Sequence, residues 1–111
     1  MAKQPETRFK EKIFPILKKL PNSWWMKTQM MALLGIPDLI GVVNGRFVAL
    51  ELKKARKDAL CTHGRVRLQG KILLEIRNAG GFGEFCYPEN WDEIHLELSK
   101  LAEGKVPSLW A

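Results

Sequence analysis

The run Gly35-Ile-Pro-Asp-Leu-Ile-Gly-Val-Val-Asn-Gly-Arg-Phe-Val-Ala-Leu-Glu-Leu-Lys-Lys54 reads as one β-hairpin. Asn44-Gly45 forms its turn, because both residues tolerate the positive φ of a type I′ turn. A two-residue loop sets the register. Val43 faces Arg46, and every further cross-strand pair keeps the same sum of residue numbers. Asp38 therefore falls opposite Glu51, and Lys53, two residues on, points to the same face as Glu51. Directly opposed residues have Cβ atoms roughly 4.5–5.5 Å apart, where like charges repel. A divalent cation between the two carboxylates offsets that repulsion, and Lys53 adds positive charge. Magnesium suits such a place: it is an oxygen-seeking ion, held by one or two carboxylates with water and substrate phosphate. Mn2+ is the natural substitute.

The two faces of the hairpin differ in content. Ile40, Val42, Phe47 and Ala49 share a face with Asp38, Glu51 and Lys53. Leu39, Val43, Val48, Leu50 and Leu52 line the other. Both faces are mostly apolar, so the hairpin is expected to be central and covered on both sides. Charged groups in such surroundings need partners. A bulge at Gly41 would shift the register and undo the pairing.

Outward from the hairpin the chain alternates. Residues 6 to 20 carry Phe9, Ile13, Ile16, Leu17 and Leu20 at helical spacing, with Pro15 expected to kink or split the helix. Residues 24 to 28 read as a short strand, and 29 to 35 as a connector or short helical turn. The hairpin strands are expected at 37–43 and 46–53. Residues 54 to 64 read as a mobile basic loop. A helix is expected over 66–79, with Leu68, Ile72, Leu73 and Ile76 on one face and Gly80-Gly81 as its stop. A fourth strand follows over 82–87. A last helical segment starts at Pro88, runs through Trp91, Ile94, Leu98 and Leu101, and ends near Gly104. The order α-β-β-β-α-β-α points to an α/β fold with a central mixed sheet flanked by helices.

The 111 residues suit one domain, 1–111, with one core. No apolar run approaches the ~18 residues of a membrane helix. The first residues lack the apolar stretch of a secretory signal. The expected compartment is the cytoplasm. Cys61 and Cys86 lack metal-ligand spacing and read as reduced thiols; His63 and His95 complete no zinc pattern. The net charge of +6 favours an anionic partner. Lys54, Arg56 and Lys57 follow the second hairpin strand, and Arg65, Arg67 and Lys71 come soon after. Basic residues thus gather just beyond the acid pair, as phosphate-backbone binding requires. Lys27, on the first strand, is a further candidate to face phosphate.

Pro37-Asp38, a spacer of twelve residues and then Glu51-Leu52-Lys53 resemble the PD-(D/E)xK nuclease superfamily. Gln69, on a helix with Ile72, Leu73 and Ile76 before Gly80-Gly81, narrows the resemblance to the virus-type replication-repair nucleases (VRR-NUC). Small, stand-alone, phage-like members, similar to Holliday junction resolvases, are the nearest in kind. The resemblance covers about Glu6 to Trp91. It implies a restriction-endonuclease-like core, hydrolysis of DNA phosphodiesters, a homodimer, and a setting in a bacterial or phage-infected cell. It implies Asp38 and Glu51 as metal ligands, joined by the backbone carbonyl of Leu52. Lys53 would stabilise charge on the phosphate or orient the attacking water.

The resemblance also implies a third carboxylate from the first helix. Glu6 shares the buried face with Phe9 and Ile13, whereas Glu11 points away from it, so the helical wheel favours Glu6. Gln69 lies on the apolar face of its helix, where an amide needs a partner. The matching glutamine of the family reaches the active site, where it could hold a water or a phosphate oxygen. No Ser/His or Cys/His pair suggests a covalent intermediate. With no zinc finger or helix-turn-helix, recognition by shape and backbone fits so small a domain, hence branched DNA. Trp24, Trp25, Trp91 and Trp110 are available for a dimer interface or for the core. Two alternatives stay open: a nuclease for flaps, nicks or restriction-type sites, and a basic nucleic-acid-binding module that does not cut.

Overall fold

A computed structural model describes residues 4–28, 35–60, 62 and 64–104. Most of the expected connector at 29–35, together with Cys61, His63 and Trp110, lies outside them. Eight elements follow in order: α1 (Pro5–Lys18), β1 (Ser23–Lys27), β2 (Leu39–Val43), β3 (Arg46–Leu52), α2 (Arg56–Ala59), α3 (Gly64–Asn78), β4 (Phe82–Cys86) and α4 (Trp91–Glu103). The expected α/β architecture with a mixed, helix-flanked sheet is present. One element was not foreseen: the basic loop after β3 contains the single-turn helix α2.

The sheet has the order β1-β2-β3-β4. β1 and β2 pair antiparallel, β2 and β3 pair antiparallel, and β3 and β4 pair parallel. The hairpin register runs from Val43 opposite Arg46 to Leu39 opposite Leu50, without a bulge at Gly41. Asn44 and Gly45 have φ of 49° and 85°, as a type I′ turn demands. The strand β2 starts one residue after Asp38, later than the sequence pattern suggested. Gly41 serves close approach: a Cβ there would lie 2.5 Å from the Trp24 carbonyl oxygen and 2.6 Å from the Trp25 ring.

Of the expected kink or split at Pro15, the split is absent: helix α1 is continuous through it. Pro15 lies on the exposed side near the helix end, so the missing N–H falls where water can replace it. Helix α3 stops as expected. The Gly81 N–H bonds to the Ile76 carbonyl at 2.9 Å and the Gly80 N–H to that of Arg77 at 3.0 Å, the two bonds of a Schellman motif with Gly80 at positive φ.

The core lies on the face of the hairpin that carries Leu39, Val43, Val48, Leu50 and Leu52. Phe9, Ile13 and Leu17 of α1 and Trp91, Ile94, Leu98 and Ala102 of α4 cover it. Trp25 joins this core, so two of the three described tryptophans are core residues. The opposite face is covered only in part. Helix α3 packs chiefly on β4 and shields Ala49, Glu51 and Lys53. Towards the turn and β1 that face stays open, and Trp24, Val42 and Phe47 are exposed along one row of paired residues. The expectation of cover on both sides therefore holds only at the acidic end of the hairpin. The parallel β4 strand brings its connecting helix over one half of the sheet alone. No helix among the described residues is long and apolar enough to cross a membrane.

Candidate functional site

The hairpin and α3 together build a polar cluster inside an apolar frame. Asp38 is held from both sides. Its own carbonyl accepts the Thr28 N–H at 2.9 Å, and the Thr28 hydroxyl donates to the Pro37 carbonyl. One oxygen of the Asp38 carboxyl accepts the Leu52 N–H at 2.9 Å. That bond spans the end of the hairpin where β2 has not yet begun. In an extended residue the carbonyl opens to the same edge as the N–H, so the Leu52 carbonyl faces the Asp38 side. The register, continued by one residue, sets Asp38 against Glu51.

Glu51 is 4 % exposed and Gln69 is 6 % exposed, and Lys53 is buried beside them. The Gln69 Nε2 donates to Glu51 Oε1 at 2.9 Å. The Lys53 ammonium donates to Gln69 Oε1 at 2.8 Å and lies 5.9 Å from the centre of the Phe85 ring. Glu51 Oε2 is buried without a hydrogen-bond donor. The register sets the Asp38 carboxyl beside that of Glu51, and two directly opposed carboxyls need a proton or a cation between them. Burial, then the neighbouring Asp38, push the Glu51 carboxyl up to about 9, while Lys53 works in the opposite direction.

Glu6, near the start of α1, stands at the rim of this cluster. Its side chain is exposed, yet partial desolvation and then Asp38 raise its carboxyl above the ordinary range, with Lys53 opposing. Glu6 is thus in electrostatic reach of the acid pair. Glu11 is also exposed. Among the described residues, no three His, Cys, Asp or Glu side chains converge closely enough to hold a metal by themselves. The site is therefore a carboxylate pair with a third acid at its edge.

Three residues that the sequence pattern did not single out belong to this surrounding. Thr28 locks the Pro37-Asp38 corner. Phe85, which the parallel register sets opposite Glu51, walls the Lys53 ammonium. Asp58 of α2 contributes to the rise of Glu6, and its Oδ2 is buried without a hydrogen-bond donor. Asp58 was visible as the one acid within the basic stretch 54–67. The roles of Thr28 and Phe85 depend on which strands pair.

Of the basic candidates, Lys54, Arg56, Lys57, Arg65, Arg67 and Lys71 are all exposed on α2, α3 and the residues before them. Arg67 and Lys71 stand one helical turn apart on α3. Lys27 goes elsewhere: its ammonium lies 4.8 Å from the centre of the Phe14 ring on α1.

The donor set suits a hard divalent cation. Glu51 Oε2 has no donor to satisfy it, Asp38 stands opposite Glu51 in the register, and the Leu52 carbonyl faces the same side. Mg2+ takes one or two carboxylates and keeps several waters, so a pair is enough. Compared with known proteins, the chain matches no protein family, no curated protein and no solved structure.

Proposed function

We propose that this protein is a magnesium-dependent endodeoxyribonuclease that cuts branched DNA of the Holliday junction type. The observation that carries the reading is the hairpin register that sets Asp38 against Glu51, with Glu51 Oε2 buried and without a donor, beside the buried ammonium of Lys53. Asp38, Glu51 and the Leu52 carbonyl would hold the ion, with Glu6 near enough to act through water. A bound Mg2+ or Mn2+ supplies a water of lowered pKa and polarises a phosphoryl oxygen.

The chain's own residues do the rest. Lys53 presents a fixed positive charge in a poorly solvated pocket, where it acts on a phosphate more strongly than in water. The exposed Lys54, Arg56, Lys57, Arg65, Arg67 and Lys71 draw in the DNA backbone. These contacts carry no sequence readout, so shape decides the target. The junction substrate and the homodimer that a symmetric double cut requires follow from the resemblance to the VRR-NUC nucleases.

The test supplies a four-way junction, a flap and a linear duplex with Mg2+ or Mn2+ to the wild type and to Glu51→Ala and Lys53→Ala. Junction cutting by the wild type and its loss in both variants is the expected result. Cutting that survives both changes overturns the site. Binding without cutting under either metal leaves a DNA-binding module, and flap cutting with an intact junction moves the substrate.

A further inference from the structure

We infer that Gln69 is a positioning residue, whose amide holds Glu51 and Lys53 apart and in register and does not itself meet the phosphate or the attacking water. The inference rests on the nuclease reading above and assigns Gln69 a different task from the one its family resemblance suggested.

The amide is committed at both ends. Its oxygen accepts from the Lys53 ammonium at 2.8 Å and its nitrogen donates to Glu51 Oε1 at 2.9 Å. An ammonium can only donate, and the bonded Glu51 oxygen accepts, so the amide cannot be turned round. Gln69 is 6 % exposed, which leaves it little surface towards arriving DNA. Leu73, one turn on, is the other buried residue of α3 and anchors the same side of the helix.

The bridge has a consequence for both partners. Glu51 and Lys53 sit two residues apart on one strand and point to one face. Without an intervening group the Lys53 ammonium would bond the Glu51 carboxyl directly. Such a bond would occupy the ammonium that a phosphate needs and turn the carboxyl away from Asp38. With Gln69 between them, Glu51 keeps Oε2 unbonded, and the Lys53 ammonium keeps donors free. A neutral amide can serve both because it carries a donor and an acceptor at opposite ends; an acid or a base of the same size carries only one kind when charged.

The experiment is a double-mutant cycle on Gln69→Met and Lys53→Met, with Mn2+ binding to the DNA-free protein measured beside it. Gln69→Met is expected to lower kcat by about 10–100-fold, the usual cost of losing a group that orients a metal ligand. It should leave KM within about threefold, since no substrate contact is lost. Mn2+ binding should weaken by about 10–100-fold, from the same loss of orientation. In the Lys53→Met background the further cost should be smaller than in the wild type, because the share that acts through Lys53 is already lost while the bond to Glu51 remains. Effects that multiply, or a raised KM with unchanged kcat and Mn2+ affinity, would show direct substrate contact and overturn the inference. Should Gln69→Met fail to fold, Gln69→Glu takes its place in the cleavage cycle with the same expected signs. A wild type that neither binds Mn2+ nor cuts DNA overturns the nuclease reading itself, which separates the two failures.

Discussion

Glu51→Gln should make the metal-free protein more stable while abolishing the proposed DNA cleavage. The folded protein keeps the Glu51 proton until about pH 9, because burial and Asp38 disfavour the charge; the unfolded chain loses it near the ordinary value of 4.5. Between these limits the folded state binds one proton more than the unfolded state. The contribution of Glu51 to stability is then greatest below pH 4.5 and falls as the pH rises towards 9, by up to ~1.4 kcal/mol per unit. At pH 7 the accumulated loss is on the order of 3 kcal/mol. The amide of the variant cannot ionise. Its oxygen can accept from Gln69 and its nitrogen can donate to Asp38, so it imitates the protonated acid. Urea unfolding with chelator at pH 5.5 and 8.5 measures the difference. The wild type should lose stability across that span and the variant should lose much less. Near pH 7 the gain should raise Tm by about 10 °C or more. Equal pH slopes for the two proteins would refute the reasoning, as would a wild type that gains stability with pH.

Lys53→Met should reduce DNA cleavage by about 10²–10³-fold, as the loss of one preorganised charge-stabilising donor does, yet leave Mn2+ binding in place; calorimetry and single-turnover cutting separate the two. Gly41→Ala should destabilise by about 1–3 kcal/mol in urea titration, since its Cβ meets the Trp24 backbone and the Trp25 ring with little room to yield. Asn44→Ala should cost about 2 kcal/mol. It forfeits tolerance of positive φ and the bonds from Asn44 Nδ2 to the Leu101 carbonyl at 3.2 Å and the Gly104 carbonyl at 2.7 Å. Asn44→Gly should recover the backbone share of that loss, and equal losses would locate the whole effect in the side-chain bonds.

The legibility of this chain varied with distance along the sequence. Asn44-Gly45 determined a two-residue turn, the turn determined the register, and the register set Asp38 against Glu51. Each step is local, because a type I′ turn and the two-residue period of a strand leave no freedom between neighbours. The same holds for the stop of α3 at Gly80, where positive φ and two backbone bonds are short-range events. The mixed sheet also followed, from the order of its elements.

Other features were decided only when distant elements met. The periodicity of Gln69 placed it on a buried face, but its two partners depend on how α3 crosses β3 and β4. Phe85 reached Lys53 through a parallel pairing that no turn announces. Glu6 came to the rim of the acid pair through the packing of α1 against the sheet, and the open row at Trp24, Val42 and Phe47 remained because α3 spans only half of that face. Apolar periodicity records which side chains avoid water, not which surface receives them. The acid pair was therefore written in the sequence, and the tertiary fold alone supplied the amide bridge, the aromatic wall and the desolvation around it.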